Sequence, residues 1–173
     1  MKRIPPVLIV ISVAAVLLAT GLLIFSRIPR ETPDEDDWYV AVKGSVRNGG
    51  DFRIEELKDL SEVEFTMSLL GTNEDGRDHR YKGIALSALL HYCGIDNGST
   101  RCTVKASDAY STSFSISEYP WEGIYLAWEK DGKALKPRSE GGPGPVRLMV
   151  SQDIAGEYNA QRCVKYVSEV IVE

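Results

Sequence analysis

A turn rich in glycine and proline, at residues 141–145, constrains the fold more than any other feature of this sequence. Glycine permits positive φ and close backbone approach, whereas proline fixes its own φ. Two strand-like runs follow the turn, at residues 146–150 and 164–172, and a polar loop separates them. Their composition is typical of β-strands. The sequence therefore predicts a rigid turn that leads into two strands at the end of a β-rich domain.

An apolar, uncharged run occupies residues 7–25, with two basic residues on each side. Its length is sufficient to cross a hydrocarbon core about 30 Å thick as a helix. A cleavable signal peptide is the alternative, although its apolar region is usually about 7–15 residues long. We interpret residues 1–30 as a transmembrane anchor, with a cleaved signal segment as the second interpretation. The run predicts a membrane as one partner of the chain.

Equal numbers of basic residues lie before and after this run, so they do not determine its orientation in the membrane. The positive charge of the free N-terminal amine favours a cytoplasmic N-terminus. The acidic linker at residues 31–37 suits the outer face of a membrane. We therefore expect a single-pass cell-membrane protein whose domain, residues 38–173, lies on the extracytoplasmic side.

The distribution of charge argues against nucleic acid as a partner. The chain has a net charge of −5, and residues 1–30 contain no aspartate or glutamate, so the remainder is more acidic than the whole. Binding to nucleic acid depends on neutralising phosphates with basic side chains, and no basic stripe is present. We expect no nucleic-acid partner.

Hydrophobic periodicity predicts an α+β domain with a mixed β-sheet or partial barrel. Apolar residues alternate in the strand predicted for residues 63–70, which places Leu69 on the apolar face. The spacing from Leu86 to Cys93 predicts an amphipathic helix that ends at Gly94. The Asp131-Gly132 pair predicts a hairpin turn. Further strands are predicted near residues 38–46, 102–106 and 110–116, and a short helix over residues 54–60.

Three cysteines are present, Cys93, Cys102 and Cys163. In an oxidising compartment Cys93 and Cys102 could close a short disulfide loop. Alternatively, all three are small buried thiols. The sequence leaves both interpretations open. The two histidines, His79 and His91, are not part of a Cys/His cluster, so a zinc site is not predicted.

Six segments in this order resemble the oxidoreductase molybdopterin-binding domain, the fold of the sulfite oxidase family. They include a Tyr-x-Gly-Ile-x-Leu-x-x-Leu-Leu segment, a Pro-Val-Arg-Leu segment and a Val-Lys-Tyr-Val segment, and they lie at residues 54–57, 81–90, 104–113, 124–135, 145–148 and 164–167. The resemblance covers roughly residues 38–173. It implies a mixed sheet or partial barrel of the sulfite oxidase molybdopterin-binding type.

One departure from the family pattern concerns the metal. In catalytic members, a cysteine thiolate at the end of the strand after the first helix ligates molybdenum. The matching segment here, residues 66–72, places Leu69 at that position. A leucine side chain has no donor atom, whereas this metal requires soft sulfur. Ser139 and Glu140 also stand where the family usually has a histidine. No catalytic or metal-ligating residue is therefore predicted, and molybdenum is not expected.

The resemblance makes molybdopterin a candidate cofactor, and Arg147, Arg162, Lys165 and Tyr110 are its candidate binding residues. The basic side chains suit an anionic ligand such as a pterin phosphate, because guanidinium groups match phosphate oxygens. Alternatively, Arg147 and Lys165 lie on the solvated face of strands, and Tyr110 belongs to an ordinary turn. Cys163 is interpreted as a buried structural thiol, with a metal-ligand role as the alternative.

These observations favour a membrane-anchored, ligand-binding or interaction module without molybdenum redox chemistry. Its partners would be a small anionic ligand or another membrane protein. The alternative is a molybdopterin-dependent oxidoreductase in which water, another cysteine or no protein group holds the metal.

Overall fold

A computed structural model of the chain describes residues 38–173. The predicted anchor at residues 1–30, with its apolar run at 7–25, and the acidic linker at 31–37 lie outside the described residues. Within 38–173, no helix combines the length and the apolar character that a membrane crossing requires.

The described residues form ten strands and three α-helices. In chain order they are β1 (Tyr39–Gly44), β2 (Gly50–Arg53), α1 (Ile54–Ser61), β3 (Val63–Ser68), β4 (Asp78–Ala85), α2 (Leu86–Cys93), β5 (Arg101–Ala106), β6 (Ser111–Ser115), β7 (Ile124–Lys130), β8 (Lys133–Ala134), β9 (Arg147–Val150), α3 (Gln152–Ala155) and β10 (Val167–Val172). Short 3₁₀ turns occupy Ile116–Glu118, Arg138–Glu140 and Asn159–Gln161.

The first sheet has the order β2-β1-β10-β5-β6 and is mixed. Strands β1 and β10 are parallel, while the other pairs are antiparallel. Alternate side chains of its central strands are buried, as the sequence predicts for a sheet with one face on the core. These buried residues are Val40, Val42, Cys102, Val104, Ala106, Val167, Val170 and Val172.

The second sheet is antiparallel and has the order β3-β4-β7, with β8 and β9 both paired to β7. All four residues of β9 are buried, so this strand is covered on both faces. The mixed, sheet-rich α+β fold predicted from the sequence is confirmed. In detail, the described strands form two open sheets, each with free edges, rather than one sheet or a closed barrel.

The glycine- and proline-rich turn lies against the segment that precedes β10. The Tyr166 amide donates to the Pro143 carbonyl at 3.1 Å, and the Val167 amide donates to the Val146 carbonyl at 2.9 Å. Tyr166 has a φ of 56°, which interrupts the extended backbone. For this reason β10 begins at Val167, three residues after the start of the strand-like run at 164–172.

Strand β4 was not predicted from the sequence. The structure has this central strand at Asp78–Ala85, directly before α2, which begins at Leu86 as predicted. A Cβ at Gly83 would lie 2.2 Å from the Leu126 carbonyl oxygen, so glycine permits the close approach of β7. Because Asp78, His79 and Arg80 are all polar, no apolar alternation marks the start of this strand in the sequence.

All three cysteines are free and buried, which agrees with the buried-thiol interpretation and not with a disulfide. Burial raises the pKa of the Cys93 thiol to about 11 and that of Cys102 to about 12. We expect slow maleimide labelling of the native protein, because the thiolate is the reactive form. After unfolding without reductant, all three thiols per chain should react with maleimide, and mass spectrometry of the labelled chain counts them. A single reactive thiol would contradict this assignment.

Candidate functional site

The position at which the family's catalytic members carry a cysteine is part of the hydrophobic core. Leu69 is 3% exposed, immediately after the end of β3, and belongs to the same core cluster as Met67. The predicted apolar face of this strand is therefore confirmed, although β3 ends at Ser68. A buried hydrocarbon side chain therefore occupies the position at which the resemblance places the family's cysteine ligand.

Asn159, which the sequence analysis did not identify, connects this position to the neighbouring strand. Its side chain is fully buried. The Leu70 amide donates to its Oδ1 at 2.9 Å, and its Nδ2 donates to the carbonyls of Ser68 and Val150, each at 3.0 Å. One side chain thus fixes the end of β3 against the end of β9. No sequence signal separates this asparagine from the polar residues beside it.

Arg147 forms a buried ion pair with Glu74. Its Nη2 lies 2.6 Å from Oε1 of Glu74, and Arg147 is only 6% exposed. The interpretation that placed Arg147 on a solvated strand face is therefore wrong, because both faces of β9 are covered. Its Nε has no hydrogen-bond partner among residues 38–173. The ion pair holds the loop between β3 and β4 against β9.

Cys163 lies beside Asn159 and is a buried, hydrogen-bonded thiol. The Val150 amide donates to its Sγ at 3.3 Å, and the thiol donates to the Asn159 carbonyl at 3.4 Å. Burial raises the pKa of this thiol, and the amide of Val150 and the charge of Arg147 oppose the shift only in part. The neutral thiol is therefore the favoured form.

Arg162 and Tyr110 bind the backbone of neighbouring segments. Arg162 donates to the Ser113 carbonyl at 3.0 Å, and its guanidinium lies 4.9 Å from the Phe114 ring centroid. The Tyr110 hydroxyl donates to the carbonyl of Gln161, the residue before Arg162. These contacts bring Tyr110 and Arg162 to one region of the surface.

Lys165 is exposed and has no hydrogen bond or ion pair with another described residue. Of the four candidate residues, only Arg162 and Tyr110 are linked by the contacts above, while Arg147 is engaged with Glu74. Their role in binding a cofactor stays a prediction.

The side chains around Leu69 do not fit a molybdenum centre. Leu69 offers no donor atom, and the nearby Cys163 thiol, whose pKa is raised by burial, is already engaged in two hydrogen bonds. Such a metal needs a deprotonated sulfur ligand. Within residues 38–173, no group of three or more His, Cys, Asp or Glu side chains could hold a metal ion.

His79 connects the loop between β3 and β4 to the β7–β8 hairpin. Its Nε2 lies 2.9 Å from Oδ2 of Asp75, and its Nδ1 lies 2.7 Å from Oδ2 of Asp131. The hydrogen bond that His79 donates to Asp75, and then the one it donates to Asp131, raise the pKa of His79, against the opposing effects of burial and of Lys130. A histidine with a carboxylate at each ring nitrogen favours the doubly protonated form.

Stability should therefore decrease as the pH rises. A raised folded-state pKa contributes stability that is fully present below the unfolded value of about 6.5 and is lost as the pH passes the folded value. We expect urea unfolding to give a smaller free energy at about pH 8.5 than at about pH 6. His79→Gln should reduce this difference, whereas His91→Gln, at an exposed position, should not. An unchanged slope in His79→Gln would contradict the assignment.

Comparison with protein families identifies the class to which this fold belongs. The sequence matches the model of the oxidoreductase molybdopterin binding domain over residues 26–173. The chain therefore belongs to the oxidoreductase molybdopterin-binding domain family, as its sequence motifs predicted. The match begins before residue 38, where the resemblance was placed.

A solved structure with the same fold is the sulfane dehydrogenase SoxCD from Paracoccus pantotrophus. The TM-score is 0.61 at 19% sequence identity, and the alignment covers 81% of this chain and 39% of that chain. At this identity the similarity establishes the fold. The chain spans about two-fifths of the length of the SoxCD chain it matches. No curated protein matches the sequence.

Proposed function

We propose that this chain is a membrane-anchored, extracytoplasmic module that binds a ligand or partner on a molybdopterin-binding scaffold, without molybdenum redox chemistry. The observation that carries the proposal is the buried Leu69 at the ligand position. Around it, Asn159 and the Arg147–Glu74 ion pair hold the adjacent segments together through four contacts of 2.6–3.0 Å. These contacts support a packed structural region in place of a metal-binding one.

The competing proposal is a molybdopterin-dependent oxidoreductase with atypical metal ligation. Its supporting observation is that Asn159 contacts both Leu70 and Cys163, so a thiol lies close to the position of the usual ligand. Metal binding would require Cys163 to give up its hydrogen bonds and its proton. Molybdenum and pterin content per chain separates the two proposals.

The Leu69→Cys variant tests whether the scaffold accepts the family's ligand. We expect a folded protein whose free energy of unfolding is lower by about 1–3 kcal/mol, because the smaller side chain leaves apolar volume unfilled. Urea unfolding followed by circular dichroism measures the change. Leu70→Cys, at the neighbouring half-buried position, is the matched control and should cost less. Loss of all soluble protein in Leu69→Cys would contradict the packing described above.

The proposed location rests on the apolar run at residues 7–25 and the acidic linker that follows it. We infer from them that residues 1–30 anchor the chain and that its partner could be another protein of the same membrane. Membrane fractionation with an alkaline wash tests the anchor. Retention in the pellet supports it, and release of the full-length chain into the supernatant contradicts it.

A further inference from the structure

A groove of about 590 Å³ lies between α1, α2 and the segment formed by Tyr119 and Pro120. Helix α1 contributes Leu60 and Ser61 to its lining, and helix α2 contributes Ser87, Ala88, His91 and Tyr92. All of these side chains are half-buried or exposed, so a partner can reach them. The lining includes neither Leu69 nor any of the four cofactor-binding candidates. The groove is therefore distinct from the region that the family resemblance singles out.

Two tyrosines form accessible aromatic walls that the protein holds in place. Tyr92 is 51% exposed, and its ring packs edge to face on Phe52 with the centroids 6.0 Å apart. The Tyr119 hydroxyl donates to the Ser87 carbonyl at 3.0 Å, and its ring packs on Trp121 with the centroids 5.5 Å apart. A partner that binds rigid side chains loses less conformational entropy on association. These walls are therefore suited to recognition.

Free hydroxyl groups along the groove favour a partner with an extended backbone. The side-chain hydroxyls of Ser61, Ser87 and Tyr92 have no hydrogen-bond partner within residues 38–173. The carbonyls of an α-helix mostly accept from its own amides, so a helical partner offers them few acceptors. A polyproline II segment has no internal hydrogen bonds, and all its carbonyls are available. Proline-rich segments also bind grooves lined by aromatic side chains.

The charges next to the lining favour a basic partner. Exposed carboxylates lie within two residues of the lining along the chain, and they are Asp59, Glu62, Glu118 and Glu122. None of these four side chains has an ion pair or hydrogen bond with another described residue. The lining itself contains no lysine or arginine, and Lys58 of α1 lines a different cleft. Complementary charge increases the association rate and suppresses binding of acidic partners.

We propose that this groove binds a proline-rich, basic segment of a partner protein in the polyproline II conformation. The proline rings pack against Tyr92, Tyr119 and Pro120, the backbone carbonyls accept from the free hydroxyls, and the basic side chains face the surrounding carboxylates. This assignment gives a chemical class to the partner proposed above and rests on that interaction role.

The test is a titration of fluorescein-labelled peptides with the full-length chain in an uncharged maltoside detergent, followed by fluorescence anisotropy. The probe is Arg-Pro-Pro-Arg-Pro-Pro-Arg, and we expect it to bind saturably. Arg-Gly-Gly-Arg-Gly-Gly-Arg has the same charge without a preformed polyproline II helix and should bind about tenfold more weakly. Glu-Pro-Pro-Glu-Pro-Pro-Glu keeps the conformation, reverses the charge and should not bind.

Variants of the tyrosine wall locate the bound peptide on the protein. Tyr92→Ala should weaken binding of the arginine–proline peptide about tenfold, because aromatic anchors contribute most of the energy of such interfaces. Tyr92→Phe keeps the packing on Phe52 and should weaken binding less, through loss of the hydroxyl alone. Tyr158→Ala, at a tyrosine that is 58% exposed and outside the groove, is the matched control and should bind as the parent does.

Charge variants test the basic half of the assignment. Glu118→Gln should weaken binding of the arginine–proline peptide about two- to fivefold, as expected for an exposed charge. Glu157→Gln is the matched control, because Glu157 is also exposed and unpaired among the described residues but lies away from the lining. This control should bind as the parent does.

Each contrary result overturns the proposal. Equal binding of the glycine and proline peptides would show that charge alone attracts them, and equal weakening in Tyr92→Ala and Tyr158→Ala would place the peptide elsewhere. A helical alanine–lysine peptide that binds in place of the proline peptide would assign the groove to a helical partner. A dimer that dissociates in Tyr92→Ala, without peptide binding, would assign it to a second copy of the chain.

These results are separate from the test of the proposed function. Failure of peptide binding leaves the absence of molybdenum chemistry intact, because that part fails only if metal analysis finds stoichiometric molybdenum. The membrane anchor is likewise tested by fractionation and not by the peptides.

Discussion

Replacing Asn159 with alanine is expected to lower the free energy of unfolding by about 3–4 kcal/mol. The substitution removes the partners of three backbone groups, those of Ser68, Leu70 and Val150, at a fully buried site. A buried polar group left without a partner costs its full desolvation energy. Urea unfolding of the variant and of the parent measures the difference.

Asn48→Ala is the matched control. Asn48 is exposed and its side chain donates a single hydrogen bond of 3.3 Å to the Tyr92 carbonyl. The same chemical change there should cost less than about 1 kcal/mol. Equal losses in the two variants would contradict the role assigned to Asn159.

The second large effect is expected from Glu74→Ala, which should cost about 3 kcal/mol. The substitution leaves the Arg147 guanidinium charged and buried without its counter-charge. The double variant Glu74→Ala/Arg147→Met should recover much of the loss, because it removes the uncompensated charge as well. A double-mutant cycle by urea unfolding measures this recovery.

Glu64→Ala provides the comparison for a surface pair. Glu64 lies 3.8 Å from Arg80, and both side chains are more than half exposed. Exposed ion pairs contribute about 0–1 kcal/mol to stability. The free energy of unfolding of Glu64→Ala should therefore be close to that of the parent. A loss in Glu74→Ala no larger than that in Glu64→Ala would refute the buried ion pair.

The elements that the sequence predicted well are those whose pattern is local. The α2 helix has its apolar residues one turn apart and ends at Cys93, with Gly94 as its C-terminal cap at a φ of 69°. The Asp131-Gly132 turn has both residues at positive φ, as such a hairpin requires. In these cases neighbouring residues determine the backbone without help from distant segments.

The features that the sequence did not reveal depend on distant contacts. Strand β4 begins with polar residues that bind groups far along the chain, such as the Arg80 amide, which donates to Asp131. Asn159 resembles any loop residue until β3 and β9 are placed beside it. Arg147 was expected either to bind an anion or to face solvent, because nothing local indicated that Glu74 would approach it. By contrast, the burial of Leu69 was predicted, because the alternation of apolar residues along the strand places this side chain on the core face. The family pattern identified the same position as that of the usual cysteine.

The measurement that tests the central claim most directly is the molybdenum content of the natively purified full-length chain, with pterin released and measured by fluorescence. The host should be one that makes the cofactor, and the Leu69→Cys variant should be analysed beside the parent. Because a buried leucine stands where the metal needs sulfur, we expect far less than one molybdenum atom per parent chain. One molybdenum atom and one pterin per parent chain would contradict the account.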